Sequence, residues 1–329
     1  MEDLQSLVGI PRIWEQLSRV EERLLEASAA DDSYLTKIAQ HLLLAGGKRF
    51  RPLLALLAAQ FGEAEDHRPV EAAVAVELIH VGSLYHDDVI DEADTRRGAR
   101  SANANWTNTV AILAGDFLMA RASEVAATHL SQESVRLLAA TYAELVEGQT
   151  RELQLTDNLT HSLDDYQQVI AGKTASLIRT SARLGALAAD ADKQIVEALS
   201  TWAWEVGLVF QIADDALDLV ADEETIGKPA GSDIREGTFT GPVLRAVAGP
   251  NGEQVRALLR SGRPYSDDTV NEVIDIVRDG GHIDAALETA TARLTIAESA
   301  LATLPKSKPK TILENLGAYL LQRVDAARA

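Results

Sequence analysis

Two stretches of the chain, Val74 to Asp91 and Ser200 to Asp218, are apolar around most of a helical circumference instead of along one stripe. A surface helix keeps a polar face, so a helix that is apolar all round has to be enclosed by others. Two such helices call for a bundle with a buried middle. The remaining sequence agrees, because Ala, Leu, Glu and Arg recur at helical spacing while alternating β-branched runs between turn signals are missing. The fold class is therefore read as all-α.

Breaks fall at Gly46-Gly47, Gly62 to Pro69, Arg97-Gly98, Thr156 to Ser162, Ala189 to Asp192, Ile226 to Gly241, Gly249 to Gly252, Gly262 to Asp267 and Pro305 to Pro309. No shift in composition marks a boundary, so the expectation is a single domain over residues 1–329. Within it, residues 250–310 are read as a lateral helical hairpin, and the PKSKPK tract as a hinge before a short last helix.

With 31 basic and 50 acidic residues the net charge is −19, which argues against nucleic acid as a partner, since phosphate backbones want a basic surface. The chain has no cysteine, which excludes thiolate metal sites and cysteine nucleophiles. The amino terminus, MEDLQSLVGIPRIWEQL, has neither a basic leader nor a continuous apolar run, and no apolar stretch reaches the roughly 18 residues a membrane span needs. A cytoplasmic protein with at most peripheral membrane contact is the expectation.

Each of the two apolar helices ends in DDxxD: Asp87, Asp88 and Asp91 in HDDVIDEADTRRG, then Asp214, Asp215 and Asp218 in QIADDALDL. The first and last aspartates of each are four apart and share a helical face. One acidic triplet is most simply a solvated helix end. Its repetition after a second buried-type helix points to a shared ion. Carboxylate oxygens are hard ligands suited to Mg2+, which prefers a few carboxylates plus phosphate oxygens over an all-protein cage. A diphosphate substrate bridged by metal follows from that chemistry.

The rest of a diphosphate's charge needs cations, and three basic patches offer them. In GGKRFRPLL, Lys48 and Arg51 follow a glycine pair and Pro52 begins a helix whose amino end suits an anion. Arg96-Arg97 supplies guanidinium forks. Lys173 in AGKTASL and Lys228 in IGKPAGSD complete the set, the latter in a loop fit for a flap. His80, two turns before Asp87, and Gln211, three residues before Asp214, face the same inferred site.

These residues, with AGDFL at 114–118 and EGQ at 147–149, resemble the trans-isoprenyl diphosphate synthases of the polyprenyl synthetase family over residues 35–245. The resemblance implies antiparallel helices around a central cavity of the isoprenoid synthase type, a homodimer, and head-to-tail condensation of isopentenyl diphosphate with an allylic diphosphate. It implies Asp87, Asp91 and Asp214 as direct ligands of Mg2+, three ions with substrate bound, and Asp88, Asp215 and Asp218 as holders of metal-bound water. Lys48, Arg51, His80 and Arg97 would bind isopentenyl diphosphate; Arg96, Lys173, Gln211 and Lys228 the allylic diphosphate, with Thr174 near the developing cation.

Product length in this family depends on what blocks the cavity below the first motif. Gly82 and Ser83, five and four residues before Asp87, are both small, so the expected product is an all-trans chain longer than twenty carbons. Ile79, Phe117, Met119 or Tyr142 would close the floor early if they intrude, giving a farnesyl or geranylgeranyl diphosphate synthase. A terpene cyclase needs no second diphosphate site, which the GGKRFRP patch and Arg97 supply. A non-catalytic subunit of a heteromeric synthase would be expected to have lost aspartates.

Overall fold

The computed structural model describes residues 6–62, 67–220 and 229–328. It is all-α apart from one two-residue ladder. The helices are α1 (Pro11–Ala27), α2 (Ser33–Ala39), α3 (His41–Leu44), α4 (Phe50–Ala59), α5 (His67–Ile90), α6 (Ala102–Asn105), α7 (Asn108–His129), α8 (Gln132–Leu155) and α9 (Leu163–Ile170). After a π-helical turn at Ala171–Ala175 follow α10 (Ser176–Ala188), α11 (Lys193–Val220), α12 (Ser232–Arg235), α13 (Gly241–Ala248), α14 (Gly252–Leu259), α15 (Asp267–Asp279), α16 (His282–Leu301) and α17 (Lys308–Arg328). The last helix has 21 residues and is not the short one expected after the Pro-rich tract.

The strands β1 (Thr95–Arg96) and β2 (Ala99–Arg100) pair antiparallel through a two-residue turn, Arg97-Gly98. Both turn residues have positive φ, 54° and 75°, the backbone of the tight hairpin turns that match strand twist. Two-residue strands carry no alternation, which is why the pattern of the sequence reads only a break here.

The chain forms two compact units, each assembled from several stretches. The first lies within Met1–Tyr142, Leu177–Ser200 and Ser307–Pro309. Its centre is α5, which packs most extensively on α7 and also on α4 and α1. Val74, Val76, Leu78 and Val81, spread around the circumference of α5, are all fully enclosed. At the crossing with α7 two glycines meet. A Cβ at Gly82 would lie 3.1 Å from the Gly115 carbonyl, and one at Gly115 3.0 Å from the Gly82 carbonyl. A similar contact joins α10 to α4, where a Cβ at Gly185 would stand 2.0 Å from the Ala55 carbonyl oxygen.

The second unit lies within Ala143–Ser176, Thr201–Lys306 and Lys310–Ala329. Trp202, Val206 and Val209 of α11 are enclosed in it. The stretch read as a hairpin folds as α14, α15 and α16, and α13 packs on all three. Gly148 of α8 and Gly172 of the π turn touch backbone to backbone: a Cβ at Gly148 would fall 2.4 Å from the Lys173 nitrogen. The glycines of EGQ and AGKT therefore let α8 lie directly on the turn that carries Lys173 and Thr174. Single π turns are concentrated at functional sites.

Candidate active site

In the first unit, α5 ends inside the first acidic motif. Asp91 N–H bonds the Asp87 carbonyl at 2.8 Å, and Glu92, at φ 51°, turns the chain out of the helix. Carboxylates at a helix C-terminus oppose the helix dipole, so this end of α5 favours a cation. The three aspartates are not equivalent: Asp87 is half-buried, Asp91 exposed and Asp88 fully buried. Arg96 Nε donates to Asp88 Oδ1 at 2.6 Å, while Asp88 Oδ2 is buried without a hydrogen-bond partner. Burial pushes the Asp88 carboxyl up and Arg96 opposes it.

Behind this end of α5 lies a concentration of positive charge. Arg97, placed by the hairpin turn, donates from Nη1 to the carbonyls of Leu42 (3.1 Å) and Gly46. A Cβ at Gly47 would meet the Arg97 guanidinium at 3.0 Å, so Gly47 makes room for that side chain. Arg51 Nε is buried with no hydrogen-bond partner, and burial lowers the Arg51 guanidinium to about 10. His80 is held well below its ordinary value by burial, then by the charges of Arg51, Arg97, Arg49 and Arg96, so the imidazole is neutral near pH 7. Lys48 is exposed.

Two members of this cluster escaped the sequence reading. Arg49, at φ 46° and 3% exposed, donates to Glu21 from Nε (2.6 Å) and Nη2 (3.0 Å), to Glu77 from Nη1 (3.0 Å) and to the Leu43 carbonyl (2.9 Å). Glu77 is the buried carboxylate among the arginines, with Arg97 Nη2 at 3.8 Å. Burial raises its pKa and Arg49, Arg97 and Arg51 lower it in turn. The only sequence signal for Glu77 is a charge inside the apolar run AVAVELIHV.

In the second unit, Asp214 is exposed while Asp215 and Asp218 are buried on α11. Asp215 Oδ1 accepts from Gln211 Nε2 at 2.8 Å and Oδ2 from the Tyr166 hydroxyl at 2.5 Å. Gln211 Oε1 accepts from Thr174 Oγ1 at 2.7 Å. Burial pushes Asp215 up to about 7, against these hydrogen bonds and aided by the charges of Asp214 and Asp218. Asp218 Oδ2 accepts from the Asp233 N–H at 3.2 Å, and its carbonyl from the Gly231 N–H at 2.8 Å. Lys173 Nζ donates to Glu152, which also accepts from Gln149 at 3.0 Å. Tyr166 and Glu152 were not singled out in the sequence, and only the EGQ motif points near the latter. Lys228 lies outside the described residues.

Gly82 and Ser83 were expected to leave the cavity floor open. Gly82 is small for another reason: α7 lies across it, with Met119 Cε 3.0 Å from where a Cβ would be. Ser83 is buried, and its hydroxyl donates to the His80 carbonyl at 2.8 Å.

Among the described residues no group of three or more His, Asp or Glu is gathered to hold a metal alone. The donors nonetheless fit Mg2+, because that ion takes one or two carboxylates and completes its shell with water and phosphate oxygens. The partnerless Asp88 Oδ2 is a hard acceptor of this kind.

An all-α fold with two aspartate motifs and buried arginines defines the chain as an isoprenoid synthase, and the comparisons with known proteins make the assignment narrower. The family model described as Polyprenyl synthetase matches residues 32–277. The chain belongs to that family and is a prenyltransferase, a trans-prenyl diphosphate synthase. It is 41% identical over 325 residues to a nonaprenyl diphosphate synthase of Mycobacterium tuberculosis, covering 98% of this chain and 96% of the relative. It is 39% identical to heptaprenyl diphosphate synthase component 2 of Geobacillus stearothermophilus, covering 94% and 96%. The crystal structure of a geranylgeranyl pyrophosphate synthase from Corynebacterium glutamicum, complexed with calcium and isoprenyl diphosphate, superposes with TM-score 0.84 at 41% identity over 95% of this chain and 96% of that one.

Proposed function

We propose that the chain condenses isopentenyl diphosphate head to tail with allylic diphosphates, with Mg2+, to an all-trans product longer than twenty carbons. The observation that carries the reading is the convergence of Arg49, Arg51, Arg96 and Arg97 on a neutral His80, beside a helix end rich in carboxylate. Such a place suits a diphosphate and a divalent cation together. Asp87, Asp91 and Asp214, whose carboxylates are the more accessible, would hold the metal, and Asp88, Asp215 and Asp218 would hold its water.

Bound Mg2+ would stabilise negative charge on the departing diphosphate. The chain does the rest. Arg51 and Arg97, with Lys48 and His80, would orient isopentenyl diphosphate; a neutral imidazole donates one hydrogen bond without adding charge to four arginines. Arg96, Lys173, Gln211 and Lys228 would hold the allylic diphosphate, and the Thr174 hydroxyl would lie by the allylic cation. No protein nucleophile is required.

Product length rests on Ser83, the small buried residue one turn before Asp87, and on likeness to the nonaprenyl enzyme. The equal identity to a geranylgeranyl enzyme keeps a twenty-carbon product as the rival. The likeness to a protein called a component favours one further reading, a subunit that needs a partner chain. We expect a homodimer in the cytoplasm, without nucleic acid, touching membrane at most peripherally; no described helix is long and apolar enough to cross one.

The test incubates the purified chain with Mg2+, labelled isopentenyl diphosphate and ten-, fifteen- or twenty-carbon primers, then sizes the products. Chains longer than twenty carbons, abolished by chelator, are expected. Products ending at fifteen or twenty would favour the short-chain reading, and no incorporation the partner-dependent subunit.

A further inference from the structure

Within the second aspartate motif, Asp215 is held at both oxygens. Its bond from Gln211 is local, one turn along the same helix, and persists wherever α11 is intact. Its bond from Tyr166 comes from another helix, 49 residues away in sequence, at 2.5 Å. A short bond to a carboxylate from a buried hydroxyl belongs to the stronger class of hydrogen bonds.

The ring that makes it is built in. A capping box fixes the start of α9: Ser162 Oγ accepts from the Asp165 N–H while the Asp165 carboxylate accepts from the Ser162 N–H. Gly241, at the start of α13, leaves the ring just enough room, since a Cβ there would lie 3.1 Å from Cε1 and 3.3 Å from Cζ. Arg293, on α16, donates to Gln167 Oε1 and to Glu205 Oε2, both at 3.2 Å. Gln167 is the neighbour of Tyr166 and Glu205 lies on α11. Arg293 thus clips the tyrosine's helix to the helix that carries the aspartates.

We infer that Tyr166 is a positioning residue of the synthase: its hydroxyl, braced from α16 through Arg293, fixes the Asp215 carboxylate and with it the second motif's presentation to a divalent cation. The inference rests on that motif being the metal-holding one. It also gives a role to the chain beyond Pro250, where the sequence offers no motif. Residues that orient metal-holding groups from behind typically change metal affinity or activity 10–100-fold when altered.

Tyr166→Phe removes one oxygen and keeps the ring against Gly241. The probe is Mn2+ with inorganic pyrophosphate, with free Mn2+ followed by electron paramagnetic resonance, alongside melting temperatures with and without the metal. The expected result is Mn2+ affinity weakened about tenfold or more, a smaller metal-induced rise in melting temperature, and an unchanged KM for isopentenyl diphosphate. In an Asp215→Asn background the same change should add nothing. Asp214→Ala separates the two levels. Wild-type Mn2+ affinity in that variant overturns the metal reading of the motif itself. Loss of affinity there, with wild-type affinity in Tyr166→Phe, overturns only the role of Tyr166. An equal drop in melting temperature with and without Mn2+, at unchanged affinity, also overturns it. If Tyr166→Phe does not fold, Gly241→Ala shifts the ring but keeps the hydroxyl, and unaltered Mn2+ affinity in that variant counts against the inference equally.

Discussion

Arg49 bonds two carboxylates, and replacing it by alanine asks which of them matters. By number of bonds Glu21 leads, with a bidentate pair at 2.6 and 3.0 Å against a single 3.0 Å contact to Glu77. Burial reverses the order, because the Glu77 side chain is 2% exposed and that of Glu21 48%. Freed from Arg49, Glu21 returns to water at a cost of about 1 kcal/mol or less. Glu77 stays buried, and stranding one member of a buried pair costs about 3–5 kcal/mol. Arg97 at 3.8 Å and the nearby Arg51 still attend it, so the lower end, about 3 kcal/mol, is expected. Urea unfolding of Arg49→Ala, Glu21→Ala and Arg49→Lys provides the assay. Glu21→Ala should lose at most about 1 kcal/mol, Arg49→Ala about three times that, and Arg49→Lys an intermediate amount, because an ammonium cannot reproduce the fork. Glu77 would also draw more strongly on Arg97, raising the KM for isopentenyl diphosphate. A loss in Arg49→Ala no larger than in Glu21→Ala would mean that Arg49 does not stabilise the buried Glu77.

The His80 imidazole has a folded value below its unfolded one, so the unfolded chain takes up a proton that the folded chain refuses. Its contribution to stability is therefore complete above about pH 6.5 and declines below it; the difference between the wild type and His80→Gln in pH-dependent unfolding should steepen in that window and stay flat above it. Gly115→Ala would place a Cβ 2.3 Å from His86 Nε2 and 3.0 Å from the Gly82 carbonyl. It should destabilise by about 1–3 kcal/mol and lower kcat, because His86 immediately precedes Asp87; wild-type unfolding and turnover would contradict the tight α5–α7 crossing. Ser83→Phe should shorten the product at unchanged primer use, as read by chromatography of the extracted chains, and an unaltered length would move the floor to another residue.

The all-round apolar character of the helices around Val81 and Val206 was legible because burial leaves its mark on every position of a helix. The aspartate motifs were legible because they repeat. What stayed hidden depends on partners distant in sequence. Glu77 stands out as a charge in an apolar helix, but nothing in the sequence couples it to Arg49, which looks like one more basic residue after a glycine pair. Tyr166 follows an ordinary capped helix start, and its value comes from Asp215, 49 residues on. Gly82 illustrates the opposite error. A small residue in a helix signals either space or a close neighbour, and here the neighbour is the backbone of α7. The Arg97-Gly98 break was visible, whereas the hairpin that aims Arg97 was too short to leave a pattern.

In the proposed function the two aspartate motifs hold divalent metal while the arginines around His80 hold a diphosphate. Diffraction from crystals grown with Mn2+, isopentenyl diphosphate and an unreactive allylic diphosphate analogue tests it directly, since the anomalous signal of manganese locates each ion without reference to the protein. Peaks are expected at Asp87, Asp91 and Asp214, with the diphosphate of isopentenyl diphosphate on Arg51 and Arg97. Peaks away from both motifs, or a diphosphate that leaves Arg51 and Arg97 untouched, would contradict it.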